Sequence, residues 1–307
     1  MAIRVLTPPT TVKGAIKSER VRPRTWQGWV IEVTKYAVLL LLGLSYLLPL
    51  YWMISSSLKD DAQVYVVPPV WIPNPAHWEN FWSAWTKYPF TDYLINTVFR
   101  YALPVMVGTV LSSAIVAYGF SRLRWKGRDT LFAICLGTMM VPFQVTMVSL
   151  FIIFRKMGWL NTYLPLTVPA FFGNPYFIFL LRQFFRTIPD ELTDAARIDG
   201  ANDLDILFRI LLPLSTPALT VVALFAFMGA WNDYLGPLVY LNNSTQYPLS
   251  IGIQSMRLAL AMKAVGKSNA YPYLMAVSTV VTLPILVAFF FAQRTFIEGI
   301  TLTGLKG

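Results

Sequence analysis

The sequence predicts an all-α, polytopic membrane protein with six transmembrane helices, on three observations. Only 13% of its 307 residues are charged, against 56% that are hydrophobic, about half the charge of an ordinary soluble domain. Six stretches are each long and apolar enough to cross a bilayer, whose hydrocarbon core of about 30 Å takes roughly 20 helical residues. The lysines and arginines behind the net charge of +10 are strung between those stretches and form no patch, which speaks against a nucleic-acid partner.

Residues 1–35 read as a basic tail, and the first span is Tyr36–Leu58. It is longer than the apolar region of a signal peptide and ends at Ser55–Ser57, Leu58 and Lys59 without a small-x-small cleavage site, so a retained helix is expected. Segment 59–92 is rich in proline and tryptophan (Pro68, Pro69, Trp71, Pro73, Pro75) and should begin extended. Trp78, Phe81, Trp82 and Trp85 then recur at i, i+3, i+4 and i+7. This stripe has two readings: a helix lying at the lipid–water boundary, or one packed on neighbouring spans. A core of residues 93–294 holds the other five spans, Tyr93–Phe120, Thr130–Phe154, Leu160–Leu181, Leu212–Leu241 and Ala270–Gln293, and 295–307 is a tail. Only Arg100 and Asp233 place charge inside the six. Pro165, Pro169, Pro175, Pro213 and Pro217 break the helical ladder and mark hinges or pore-lining turns. An N-in, C-in topology puts most of the Lys and Arg on the cytoplasmic side, including Arg122, Arg124, Lys126 and Arg128 of the 121–129 loop.

Several chemistries find no support in the sequence. One cysteine, Cys135, and one histidine, His77, exclude a disulfide framework and most metal or histidine-base chemistry. Gly266-Lys267-Ser268 supplies the end of a phosphate loop, but Ala261 stands where its first glycine belongs. Asp233 is the only carboxylate within a span, and no inverted repeat is detectable, which disfavours an ion-coupled secondary carrier. Paired acids or nucleophile–base dyads for a membrane enzyme are not apparent either, so no catalytic residue, metal or bound cofactor is expected.

The cytoplasmic loop 187–212 reads differently. Thr187-Ile188-Pro189-Asp190 offers a hydroxyl cap, a proline in the first turn and acids at the positive helix end. A short amphipathic helix should follow from Glu191 to Asp199, with Gly200 in the left-handed conformation that ends it. Asn202 or Asp203 can cap a second helix, Leu204–Leu212. Ala195, Ala196 and Ile198 beside Asp194, Arg197 and Asp199 make a docking knob for a partner, or an elbow packed on its own bundle.

The string Glu191-Leu192-Thr193-Asp194-Ala195-Ala196-Arg197-Ile198-Asp199-Gly200-Ala201, followed by Phe208, Ile210, Leu212-Pro213 and Pro217, resembles the EAA loop of ABC importer permeases. With Asn96-Thr97, Trp231-Asn232-Asp233 and the C-terminal Gly299…Gly304-Leu305-Lys306-Gly307, it resembles the carbohydrate-uptake branch, maltose-type permeases in particular. Where the family motif opens with glutamate this chain has Asp194, which keeps the charge and shortens its reach.

The resemblance implies a type I ABC importer transmembrane fold in the bacterial or archaeal inner membrane. It implies a pore of two permease chains, a heterodimer rather than a homodimer, driven by two ATP-binding cassette subunits that hold ATP and magnesium. An extracytoplasmic solute-binding protein would deliver the carbohydrate. Asp194, Ala195, Ala196, Arg197, Ile198, Asp199, Gly200 and Ala201 would form the coupling helix seated in the ATPase. Asn96, Gln144, Asn174, Tyr176, Trp231, Asn232 and Asp233 are candidates for the translocation path, with helix–helix packing as the alternative for each. Asp233 itself is read either as part of that path or of the seat for the binding protein, or as a group near the outer end of its span held by Asn232 or Trp231. Loop 242–271, with Asn242, Asn243, Gln246, Arg257, Lys263 and Lys267, is expected either to meet the binding protein or to form a solvated hairpin. A permease for a phosphorylated polyol such as glycerol phosphate is the alternative within the family.

Overall fold

The computed structural model describes the backbone of residues 26–263 and 270–304, with side chains through residue 258 and over 271–293. Residues 1–25, Gly266-Lys267-Ser268 and Lys306-Gly307 lie outside the described residues. No strand occurs among those described, and the chain divides into two units, residues 1–49 and 50–307.

The first unit, as far as it is described, is the opening part of helix α1 (Trp26–Ser57), and nearly all its side chains are exposed. The helix starts at Trp26, so the ten residues before Tyr36 expected as tail are helical. Glu32 and Lys35 end the apolar window, yet both are good helix formers and the ladder runs through them.

The second unit begins with the last turns of α1. Segment 59–92 contains one short turn, Asp61–Val64, and then α2 (Glu79–Lys87). Buried Asn80 donates from Nδ2 to the carbonyls of Ser57 (2.9 Å) and Lys59 (2.8 Å), which the end of α1 leaves without intrahelical partners. The aromatic stripe is divided: Phe81 and Trp85 pack into a core, whereas Trp78 and Trp82 are exposed.

Four helices are long and apolar enough to cross a membrane: α1, α3 (Phe90–Ser121), α6 (Leu164–Phe185) and the final helix, α12 (Ala270–Gly304). Two bent pairs bring the number to six if each is one span. The first is α4 (Arg128–Met140) with α5 (Phe143–Lys156), bent by 96°. The stretch Thr130–Phe154 is therefore not one straight helix. Pro142 lacks an N–H and pushes Val141 into an extended conformation, φ −85°, ψ 112°. The second pair is α8 (Asp203–Leu214) with α9 (Thr216–Asn232), bent by 84° at Ser215, between Pro213 and Pro217. The stretch Leu212–Leu241 also breaks at Asp233, with α10 (Leu235–Tyr240) beyond. The remainder of the 242–271 segment corrects the picture of a solvated hairpin. Much of it is α11 (Leu249–Lys263), whose Leu249, Ile253 and Met256 point one apolar face into a core at i, i+4 and i+7.

Two large clusters, beside a small one of Tyr101, Ala102 and Ala230, hold the described residues of this unit together. One joins Ala114, Ala117 and Tyr118 of α3, Leu181 and Phe185 of α6, Ile206, Leu207 and Leu211 of α8, and Val222 of α9. The other joins Phe90, Tyr93, Trp231, Leu249, Met256, Ala276 and Val277. Lipid supplies no hydrophobic drive between spans, so close approach and interhelical hydrogen bonds must do so. Gly108 illustrates this: a Cβ there would lie 2.7 Å from the Phe171 ring, and Ser112 Oγ donates to Ala170 O at 2.8 Å one turn on.

In α3 and α8 the ladder widens to π-type turns at Asn96–Ala102 and Ile206–Leu211. Each ends two residues before a proline: Leu103 N–H donates to Val98 O ahead of Pro104, and Leu212 N–H to Leu207 O ahead of Pro213. Proline cannot donate, so the turn before it takes up the shifted register.

Candidate functional site

The elbow between α6 and α8 carries α7 (Asp190–Ile198). Pro189 precedes it in an extended conformation, and Asp190 and Glu191 meet its positive end. Thr187 does not cap this helix; its hydroxyl turns back to Phe184 O at 2.7 Å and closes α6 instead. A residue from the neighbouring loop fixes this junction instead, as a donor and not as a cap. Arg122, its side chain only 3% exposed, donates to the carbonyls of Phe185 and Ile188 and to the Asp190 carboxylate. One guanidinium thus neutralises the negative end of α6 and fixes where α7 begins.

The other end of α7 closes through its own backbone. Gly200 has φ +86°, its N–H donates to Arg197 O at 3.1 Å, and Ala201 N–H donates to Ala196 O at 2.9 Å. These paired bonds form a Schellman cap, whose left-handed residue is most often glycine. Ala196 and Ala201, joined by that bond, both pack on the first core cluster. Asn202 then opens α8, its side chain accepting from Leu204 N–H (2.9 Å) and Asp205 N–H (3.0 Å). Asp203 accepts from Tyr118 Oη of α3 at 2.8 Å and from Arg197 Nη2 at 3.2 Å. That carboxylate raises the Arg197 guanidinium above its ordinary value. Arg197 Nη1 also lies 3.6 Å from Asp194.

The result is a short helix held at both ends and offering one face outward. Thr193 is buried and Ala196 half-buried, while Leu192, Asp194, Ala195 and Asp199 are exposed and Ile198 is 87% exposed. Of the small-residue knob, Ala196 therefore faces its own bundle and Ala195 faces away.

The residues proposed for a translocation path divide: Asn96, Trp231, Asn232 and Asp233 gather about the π-type turn of α3, whereas Gln144, Asn174 and Tyr176 lie on α5 and α6. Asn96 is buried and donates from Nδ2 to Thr245 O (2.9 Å) and Tyr247 O (3.1 Å). Asn174 caps the second half of α6 by accepting from Tyr176 N–H and Phe177 N–H. Tyr176 and Gln144 are exposed. Trp231 is buried against Phe227, ring centroids 5.6 Å apart. Asn232 donates to Met228 O on its own helix at 2.8 Å. Asp233 is held neither by Asn232 nor by Trp231; its carboxylate accepts from Tyr101 Oη and from Gly236 N–H at 3.1 Å, and its carbonyl from Ser250 Oγ at 2.7 Å. Tyr101 is five residues beyond Asn96 on the π-type turn, so that turn reaches both the end of α9 and the segment before α11. Sequence reasoning missed Tyr101, Tyr118 and Arg122 in these roles. Among the described residues, no group of three or more His, Cys, Asp and Glu could hold a metal.

A family model described as "Binding-protein-dependent transport system inner membrane component" matches residues 110–301, from the middle of α3 through the elbow and into α12. The chain belongs to this family. It is thus an inner-membrane transport component, with the elbow inside the matched region. Similar proteins include the probable ABC transporter permease protein YurM of Bacillus subtilis, 32% identical over 286 residues, covering 92% of this chain and 91% of that one. The arabinooligosaccharides transport system permease protein AraQ of Halalkalibacterium halodurans is 37% identical over 206 residues, 67% of this chain and 71% of that one. The sn-glycerol-3-phosphate transport system permease protein UgpE of Yersinia enterocolitica is 32% identical over 270 residues, covering 86% and 94%. In fold, the chain matches one in the crystal structure of a bacterial ABC transporter involved in the import of the acidic polysaccharide alginate. There the TM-score is 0.77 at 23% identity, covering 88% of this chain and 98% of that one.

Proposed function

We propose that this chain is one permease subunit of an ATP-driven, binding-protein-dependent carbohydrate importer, forming half of the pore. The observation that carries the reading is α7, pinned at one end by Arg122 and closed at the other by the Gly200 cap, with Ile198 protruding. An element that transmits force must be stiff relative to the bundle and gripped by a partner whose states hold it differently. In this reading Asp194–Ala201 seats in a separate ATPase subunit that binds ATP and magnesium, a second permease completes the pore, and both termini are cytoplasmic. The oligosaccharide named for the AraQ relative and the polysaccharide named for the solved transporter support a saccharide cargo.

Reconstitution of the assembled importer in vesicles tests this. Uptake of a labelled oligosaccharide should require ATP and the binding protein, and Ile198→Asp should abolish stimulated ATP hydrolysis without preventing insertion. Uptake at full rate without any ATPase subunit would refute it. The UgpE relative supports a second reading, a phosphorylated polyol as cargo. An uptake panel containing both a saccharide and glycerol phosphate separates the two.

A further inference from the structure

Beside α7 lies a cleft of about 730 Å³, one wall of which is made by Thr193, Asp194 and Arg197 of α7 itself. Six arginines line it: Arg122, Arg124, Arg128, Arg182, Arg186 and Arg197. Two lining carboxylates are already engaged, Asp190 by Arg122 and Asp194 by Arg197. Asp129 nearby takes Arg128 at 3.1 Å and Arg182 at 3.5 Å. Arg124 and Arg186 are exposed and make no ion pair among the described residues. The Nε of Arg122, on a side chain 3% exposed, is buried without a hydrogen-bond partner. The cleft therefore carries a clear excess of positive charge and donors still to be used.

Its depth is equally informative. Arg182 and Phe120 belong to the last turns of α6 and α3, where apolar spans give way to the polar elbow. The Arg182 guanidinium lies 4.0 Å over the Phe132 ring, its stem among apolar residues and its head at the cleft. Exposed Trp125, on the loop after α3, donates to Gly119 O of that helix at 3.1 Å, and tryptophan favours the membrane–water boundary. Phosphate groups of lipids lie at that level, and basic pockets between spans bind anionic headgroups.

We propose that this cleft binds a phosphate-bearing anion: the headgroup of an acidic phospholipid, or a free phosphate. Guanidinium forks match phosphate oxygens with two N–H donors each, which an exposed pair such as Arg124 and Arg186 can supply. A phosphate bound there would be gripped from the loop after α3 and from the end of α6, the two segments that position α7. Occupancy should stiffen the elbow.

The test uses the full chain purified in detergent and compares Arg124→Gln/Arg186→Gln with the charge-retaining Arg124→Lys/Arg186→Lys. Neither change removes an ion pair made among the described residues, and an unchanged Tm without lipid confirms that each folds. In one arm, native mass spectrometry counts retained phosphatidylglycerol against phosphatidylcholine. In the other, inorganic phosphate is titrated while hydrogen exchange of 190–205 is followed. The glutamine pair should lose binding roughly tenfold or more, the scale of two cationic side chains removed near an anionic surface, and the lysine pair should recover most of it. Loss in the lipid arm identifies a headgroup; loss confined to the phosphate arm identifies a soluble anion. Equal retention of both lipids with no effect of phosphate, or binding indifferent to the glutamine pair, overturns the proposal. The arginines would then serve an acidic protein surface instead.

Discussion

Replacing Gly200 with valine perturbs the elbow at one point. The backbone there has φ +86°, and a Cβ at this position would meet nothing within 4 Å. The substitution therefore adds no clash, and its whole effect is conformational. For an L-residue the left-handed region costs about 1–2 kcal/mol, and more when the side chain is β-branched. That energy weakens the bonds from Gly200 N–H to Arg197 O and from Ala201 N–H to Ala196 O, which close α7. An increment of about 1–2 kcal/mol multiplies the local opening equilibrium roughly 5–30-fold. Hydrogen exchange of the peptide covering 190–205, in the full chain, should speed up by that factor while the rest of α6 and α8 is unaffected. Gly200→Asn should shift it far less, because asparagine tolerates the left-handed region. In the assembled importer the valine variant should also lose substrate-stimulated ATP hydrolysis while still inserting. Wild-type exchange in the valine variant, or an asparagine variant as damaged as the valine one, would refute the reasoning.

Arg122→Met should lower stability by about 2 kcal/mol or more, because the carbonyls of Phe185 and Ile188 lose their donor. Asp190→Asn, on a largely exposed side chain, should cost under about 1 kcal/mol; thermal unfolding in detergent reads both. Tyr101→Phe and Asp233→Asn should each destabilise, with a coupling of about 0.5–3 kcal/mol in a double-mutant cycle, since one hydrogen bond joins them. Additive effects would count against that contact. Lys59 is fully buried, its ammonium 4.1 Å from the Trp52 ring and without a hydrogen-bond acceptor. Burial holds it below the ordinary 10.5, so between its lowered value and 10.5 the unfolded chain binds more protons and stability rises with pH. Lys59→Met should flatten that rise in an alkaline Tm series and be neutral or stabilising near neutral pH.

The apolar stretches were legible because the bilayer fixes both length and polarity, and all six contain helix in the structure. Their breaks were less so. Pro142 sits among apolar residues that hydropathy averages over, although the same logic that singled out Pro213 and Pro217 applies to it. The helix Leu249–Lys263 was hidden by the polar residues leading into it, though Leu249, Ile253 and Met256 carried helical spacing. In the elbow, the Gly200 and Asn202 roles could be read locally, since backbone conformation and capping depend on near neighbours. Arg122 could not: its partners are 63 to 68 residues away, and the sequence shows it only as one more cation in a basic loop. Ala195 and Ala196 are alike in composition, and only packing decides which faces the bundle.

The two widened turns, Asn96–Ala102 and Ile206–Leu211, have a consequence for how this chain tolerates changes in length. Each accommodates one residue more than the ordinary helical pitch, and a single residue advances an α-helix by about 100°. Deleting one residue from 96–102 would return α3 to normal pitch and leave Ser113, Ala117 and Tyr118 on the face they now present, whereas deleting one from the regular helix at 105–111 would swing them about a third of the way around the axis. One-codon deletions within these turns should therefore be absorbed far better than one-codon deletions in the regular parts of α3 and α8, which would rotate every contact beyond them.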